Sequence, residues 1–346
     1  MFRSHSTLDA FSTTPGGDIS RRQVLRGAAT GLVAAGVGGV LRVAPQAVAQ
    51  EDTSPSAPAA LRVPARAHRF QVGQRDLWVF DDGDYTAPGS LFAVNAPPQA
   101  LAEAMAEIGQ SPEAYTTTLN VLLINTGDEL VLIDTGFGPT FPTTGQLLGG
   151  LQAEGITPDD IDVVLLTHMH LDHFGGGIDA AGKPVFPSAR YLINQTEYEF
   201  WWAKPSLAEW VIPDDIKQLF RESAKATLVA LQDALESIAP GDEIASGVTV
   251  LAAPGHTPGH LAVEVAFDGE RLLHTVDAAS DPVLHLKHPD WFIAADNWPA
   301  HEILTRRQLF DRAARENLLV QTYHFAFPGL GHVRKDGDGW LWDPVK

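Results

Sequence analysis

Four side chains of the kind that bind metal ions, His168, His170, Asp172 and His173, fall within six positions of one run, Thr167-His168-Met169-His170-Leu171-Asp172-His173-Phe174-Gly175-Gly176. On a helix, side chains two positions apart point about 200° from each other, so His168 and His170 could not share an ion there. On a strand end or an extended loop, alternate residues face the same way. The two rings can then grip one ion, while Asp172 and His173, further round the turn, reach a second. Type and spacing therefore point to a dinuclear centre. The ordinary alternative is a polar turn whose histidines bond to backbone, which suits one histidine better than four donors in a row.

Elements on either side fit the extended reading. The run is preceded by Val163-Val164-Leu165-Leu166, an apolar, β-branched stretch that reads as a buried strand. Gly175 and Gly176 follow and let the backbone turn tightly. As a whole the stretch resembles the H-x-H-x-D-H motif of the metallo-β-lactamase superfamily of hydrolases. That resemblance implies an αββα sandwich of α+β class, two mixed sheets with helices outside.

The resemblance also assigns roles further along the chain. Pro254-Gly255-His256-Thr257-Pro258-Gly259-His260 is similar to the family's third-histidine motif, which makes His256 a ligand and leaves His260 structural. Asp277 stands where the family has its bridging carboxylate, although the usual Gly-Asp is Val276-Asp277 here. His324, in Tyr323-His324-Phe325-Ala326-Phe327-Pro328-Gly329, takes the final ligand position. The implied sets are His168, His170, His256 and Asp277 for one ion, and Asp172, His173, His324 and the shared Asp277 for the other. His274 and His332 are expected to be non-ligands. Asp134-Thr135-Gly136 could instead be the catalytic loop of an aspartic protease, but such enzymes need two of these loops and no second one occurs. In the family, an Asp-x-Gly at this place lies beside the metals and supports them, the role expected of Asp134.

Around these residues the sequence predicts helices over 97–108, 144–154, 217–238 and 299–316, and a short one over 156–160. It predicts strands over 117–125, 129–134, 185–194, 247–253, 261–267, 271–276 and 318–322, with a terminal hairpin over 333–342. The aromatic concentration at Trp201, Trp202 and Trp210 reads as core, as an interface within a homodimer, or as substrate contact.

Composition narrows the chemistry. The chain of 346 residues carries 43 acidic against 24 basic residues, a net charge of −19. Such a surface repels nucleic acid and anionic membranes. With no cysteine there are no thiolate ligands, and true zinc β-lactamases of the cysteine-ligand type are excluded. Nitrogen and oxygen donors fit zinc first, and also manganese, iron, cobalt or nickel. At the N-terminus, Ser20-Arg21-Arg22-Gln23-Val24-Leu25-Arg26 resembles the twin-arginine export signal, with Ala47-Val48-Ala49 as its cleavage site. Residues 1–49 are expected to be that signal, 50–67 a flexible linker and 68–346 a single metallo-hydrolase domain. The mature protein is then periplasmic or secreted, with no stable membrane span.

Two shared ions would lower the pKa of a bridging water, and the hydroxide would attack a carbonyl or phosphoryl centre, with Asp172 relaying the proton and Asp277 holding the bridge. Within the family, the segment from His324 to Gly329 looks most like methyl parathion hydrolase and the quorum-quenching lactonases. The expected substrate is a small lactone or ester, extending to phosphotriesters. A thioester hydrolase resembling the hydroxyacylglutathione hydrolases is the alternative within enzymes, and a non-catalytic periplasmic metal-binding protein the alternative outside them. Many lactonases of the family orient substrate with a tyrosine three residues after the bridging aspartate; that position is Ser280 here.

Overall fold

Strand Val163–Leu166 shows how the sequence builds the layers. Val163 and Leu165 enter one hydrophobic cluster and Val164 and Leu166 another, so the strand is buried on both faces and reads as an unbroken apolar run. The computed structural model describes residues 66–345. The export signal read at 1–49 and the linker up to residue 65 lie outside the described residues.

Two sheets of seven strands form the described protein. The first holds β1 (Arg66–Val72), β2 (Arg75–Ala87), β3 (Tyr115–Asn125), β4 (Leu130–Ile133), β5 (Val163–Leu166), β6 (Arg190–Asn194) and β7 (Leu235–Ile238), side by side in that order. Pairing is antiparallel from β1 to β4 and parallel from β4 to β7. The second sheet holds β8 (Glu243–Ala245), β9 (Val248–Ala252), β10 (Leu261–Phe267), β11 (Glu270–His274), β12 (Leu319–Gln321), β13 (Leu330–Asp336) and β14 (Gly339–Pro344). Its one parallel pair, β11 with β12, is joined through a helix.

Between the sheets lies a core in which Leu77, Val79, Ile124, Ile133 and Leu165 meet Val250, Val263, Val265 and Leu272. α1 (Pro98–Glu107) packs in a separate cluster with Phe92, Tyr115, Leu284 and Trp291, and outside the first sheet pack α2 (Leu147–Ala153), α3 (Leu171–Phe174), α4 (Gln195–Trp202) and α5 (Asp214–Leu231), with Phe80, Leu151, Trp201 and Leu228 in the cluster there. Outside the second packs α6 (Pro299–Glu316), through Leu309, Phe310 and Ala313. The αββα sandwich is thus the observed architecture. No helix among the described residues is long and apolar enough to cross a membrane.

Three expected elements differ. The helix expected over 217–238 begins earlier, at Asp214 behind Pro213, where Asp214 and Asp215 suit the positive end of the helix dipole. It stops at Leu231, and Leu235–Ile238 is a strand on the open parallel edge of β6, where its backbone finds partners that one more helical turn would not need. The strand expected over 185–194 shortens to β6, because Val185 to Ala189 turns on itself through the Phe186 carbonyl, which accepts from Ala189 N. Asp277 does not close a strand either. β11 ends at His274, and Asp277 lies in a tight turn over Val276–Ala278.

Candidate metal centre

All the singled-out donors come from chain leaving the sheets at one end. His168 and His170 follow β5, Asp172 and His173 sit in the single turn of α3, and His256 lies in the loop from β9 to β10. Asp277 follows β11 and His324 follows β12. The structure brings all seven together in two groups. One is His168, His170, His256 and Asp277; the other is Asp172, His173 and His324. Within each group the donor atoms lie within 4.8 Å of one another, and every residue is buried. Asp277 reaches both: its Oδ2 is 3.2 Å from His256 Nε2 and 3.3 Å from His324 Nε2, and its Oδ1 is 3.2 Å from His173 Nε2.

The rings are oriented from behind. Carbonyl and carboxylate oxygens only accept, so a ring nitrogen beside one must carry the proton. His173 Nδ1–H donates to Asp134 Oδ2 at 2.8 Å, His256 Nδ1–H to Asp296 Oδ1 at 2.7 Å, and His324 Nδ1–H to the Thr118 carbonyl at 2.9 Å. Thr167 Oγ1–H donates to Asp134 Oδ2 at 2.8 Å, which leaves its lone pair for His168 Nδ1–H at 3.1 Å. With an ion bound, the His168, His173, His256 and His324 rings held in this way would turn an Nε2 lone pair to the centre. The Nε2 atoms of His168, His170, His173 and His256, with Asp277 Oδ1, are buried and have no hydrogen-bond partner. Leaving such atoms unpaired costs about 1–3 kcal/mol each, and a shared cation would satisfy them all. The donor set fits metal ions.

Electrostatics agree. Burial pulls His168 and His170 well below the ordinary imidazole value, keeping them neutral. At His173 burial acts the same way, but the Asp277, Asp134 and Asp172 carboxylates outweigh it and hold the ring well above that value. At His256 burial is outweighed by Asp277 and Asp296, and the ring rises to about 10. The carboxylates thus impose a negative potential that draws positive charge to the centre.

Two of the non-glycine residues at positive φ lie beside the donors. Asp134, on the turn after β4, sits at φ 64, and its carboxylate accepts Thr167 N at 2.9 Å as well as His173. Val276, just before Asp277, sits at φ 50. For a β-branched residue that region costs about 1–3 kcal/mol. The departure from Gly-Asp at this position is therefore a strained one.

Other expectations resolve individually. His260 donates from Nδ1 to the Ala253 carbonyl and accepts the Asp277 N–H at Nε2, so it holds the backbone of Asp277 rather than an ion. His274 donates to the Gln321 carbonyl, and His332 lies on β13 outside both groups. Trp201 and Trp210 are core residues whose rings stand edge-on to His170, while Trp202 is 41% exposed. Ser280 is buried and its backbone N donates to His285 Nδ1. A phenol comes instead from β2. Tyr85 is half-buried against Phe92, Phe137 and Phe141, with Asp172 near its hydroxyl. Burial, then Asp172 and Asp277, push that hydroxyl well above its ordinary value, so it stays a protonated donor.

Several supports carried no signal in the motifs. Asp296 stands in a loop before α6, Glu302 accepts His256 N from within α6, and Tyr323 donates to the Asp172 carbonyl while its ring stacks on His173. Of these, only Tyr323 was within a stretch already singled out.

Comparison with known proteins adds the family. The profile of the Metallo-beta-lactamase superfamily matches residues 116–305, more than half of the chain, and the chain belongs to that superfamily. Among solved structures it is similar to AidC, named as a dizinc quorum-quenching lactonase, with a TM-score of 0.78 and 27% identity, covering 82% of this chain and 98% of that one. It is also similar to AbOPH, named as a hydrolase in the beta lactamase superfamily, with a TM-score of 0.73 and 27% identity over 81% and 97% of the two chains. A Mycobacterium tuberculosis protein named as a metallo-hydrolase is 30% identical over 46% of this chain and 56% of its own length. An N-acyl homoserine lactonase of Bacillus thuringiensis is 29% identical over 45% and 62%. The chain thus spans roughly half to three fifths of the length of these curated relatives.

Proposed function

We propose that this chain is a dinuclear metal-dependent hydrolase that opens lactones and related small esters, with phosphotriesters as secondary substrates. One observation carries the reading: two buried donor groups meet at Asp277, and four imidazole Nε2 atoms without hydrogen-bond partners converge on them. Similarity to a dizinc lactonase along most of both chains supports the metal count and the substrate class.

His168, His170 and His256 would hold one ion, Asp172, His173 and His324 the other, and Asp277 both. Two such cations supply Lewis acidity, polarising a substrate oxygen and bringing the pKa of water towards neutrality. The chain's own residues do the rest. Asp134, Asp296 and the Thr118 carbonyl hold the rings of His173, His256 and His324 by Nδ1, the tautomer that leaves Nε2 for an ion. Asp172 is the most open of the seven, so its carboxylate can take up a proton and pass it outward. Tyr85, close to Asp172, would offer an O–H to a substrate oxygen. Phe92, Phe137 and Phe141 around it make an apolar wall suited to an acyl chain and exclude water.

The test is hydrolysis of an unsubstituted γ- or δ-lactone and an acyl-homoserine lactone, followed as acid release. Turnover that a chelator abolishes and zinc restores is expected. Turnover of thioesters alone would favour the hydroxyacylglutathione-type alternative, and no turnover of any ester by zinc-loaded protein would leave a metal-binding protein. Export by the twin-arginine route is part of the proposal, motivated by Arg21-Arg22 and Ala47-Val48-Ala49. N-terminal sequencing of periplasmic protein should begin near Gln50; a chain still carrying residues 1–40 would contradict cleavage.

A further inference from the structure

We propose that Glu197 is a positioning residue for the first donor group: it sets the separation between the His168–His170 segment and His256, and so controls how tightly that group holds its ion. The inference rests on the dinuclear reading above.

Glu197 is the third residue of α4 and is wholly buried. A glutamate at this place commonly bonds back to the N–H of the helix's capping residue. Here Asn194 caps the helix by accepting Thr196 N at 3.1 Å, and the Glu197 carboxylate faces the donor loops. Its Oε1 accepts Met169 N at 2.9 Å and Trp201 Nε1 at 2.7 Å. Its Oε2 accepts Thr257 Oγ1 at 2.6 Å and Gly259 N at 2.9 Å. Met169 lies between the two histidines of the first loop, and Thr257 directly follows His256 in the second. One carboxylate therefore joins loops that leave different sheets, each at the residue next to a donor.

The joint is closely built. Asn194 Nδ2 donates to the Gly259 carbonyl at 2.8 Å, and a Cβ at Gly259 would collide with the Glu197 backbone. None of the four donors to Glu197 is a cation, so only those bonds offset the cost of burying it. A buried carboxylate satisfied by four neutral donors keeps those donors in place, because losing any one exposes an unmet acceptor. Asp134 and Asp296 bond ligand rings directly. Glu197 touches no histidine ring and acts on the spacing between rings.

A general stabilising role is the competing explanation, and the metal separates the two. In Glu197→Gln the amide must face two donors on either side, and only the Thr257 hydroxyl can turn round to accept. Thr257→Val removes one bond at nearly constant shape. Zinc affinities of the full chain, stripped and then titrated against a chromophoric chelator, are measured for the parent and both variants. Thermal unfolding is measured with and without zinc. In Glu197→Gln one zinc should bind about ten- to a hundredfold more weakly and the other within about twofold of the parent. The melting deficit should be larger with zinc than without, and Thr257→Val should show the same pattern more weakly. Equal weakening of both ions, or a melting deficit independent of zinc, would overturn the proposal. If Glu197→Gln is not recovered in soluble form, unchanged zinc binding in Thr257→Val overturns it alone. A parent that takes up fewer than two ions sinks the dinuclear reading and this inference with it. A parent with two ions and variants that match it sinks only the inference.

Discussion

The two donor groups share a carboxylate but are held by different means. His168, His170 and His256 come from both sheets, and their support bridges the gap: Glu197 between the loops, Asp296 behind His256 and the aromatic wall beside His170. Asp172 and His173 share one turn of α3, and His324 joins them from the second sheet: Asp134 at positive φ stands behind His173, Tyr323 meets the Asp172 carbonyl, and the Thr118 carbonyl holds His324. Both groups thus depend on the packing of one sheet against the other, and the second depends also on the positive-φ turn at Asp134. Different substitutions should strip different ions.

Asp277→Asn should have the largest effect because it is common to both groups. The amide keeps the shape but loses the charge that serves two cations. A fall in kcat/KM on the order of 10³-fold or more is expected, several kcal/mol of barrier. A near-native rate would remove Asp277 from the shared position and merge the two groups' dependence.

Asp134→Asn separates the groups. Its amide would meet His173 Nδ1–H donor to donor, and the ring would escape by moving its proton to Nε2, the atom needed by the ion. The second group's ion should weaken by about 10- to 100-fold, and the first, which Asp134 reaches only through Thr167 and His168, by less. Equal loss from both groups in a metal titration would erase the distinction. On the substrate side, Tyr85→Phe should lower kcat/KM for lactones by about tenfold, and Ser280→Ala by less, since Ser280 is buried and bonds His285 through its backbone N, which alanine keeps. The reverse order would return the donor role to position 280.

A smaller effect concerns pH. Burial raises Asp82 to about 7, against the N–H groups of Leu147, Phe137 and Gly145 that favour its charge. Its Oδ2 accepts Phe137 N, so it underlies the Asp134-Thr135-Gly136 turn. A carboxyl whose folded pKa is raised contributes stability that is fully present below about pH 4 and lost as pH rises through about 7. The melting temperature of Asp82→Asn relative to the parent should therefore move in the variant's favour between pH 4 and 8. A pH-independent difference would show that Asp82 keeps its charge throughout.

Much of this was legible in the sequence, for reasons specific to each part. The seven donors lie in short, stereotyped runs, because a ligand's neighbours must also shape the turn that carries it. Strands β5 and β10 were plain because burial on both faces, or strict alternation, leaves a dense apolar signature. β7 was hidden because a four-residue strand with Glu236 and Ser237 exposed looks like the last turn of the helix before it. Glu197 and Asp296 were hidden because they meet the centre only through tertiary contacts, 28 and 40 positions from Met169 and His256. The strain at Val276 could not be seen without a backbone angle.

The most direct test of the account is a titration of metal-free protein with zinc while lactone turnover is followed. Activity should rise to its maximum only as the second equivalent binds, and elemental analysis of the active protein should approach two ions per chain. Full activity at one equivalent, with a single ion per chain, would contradict it.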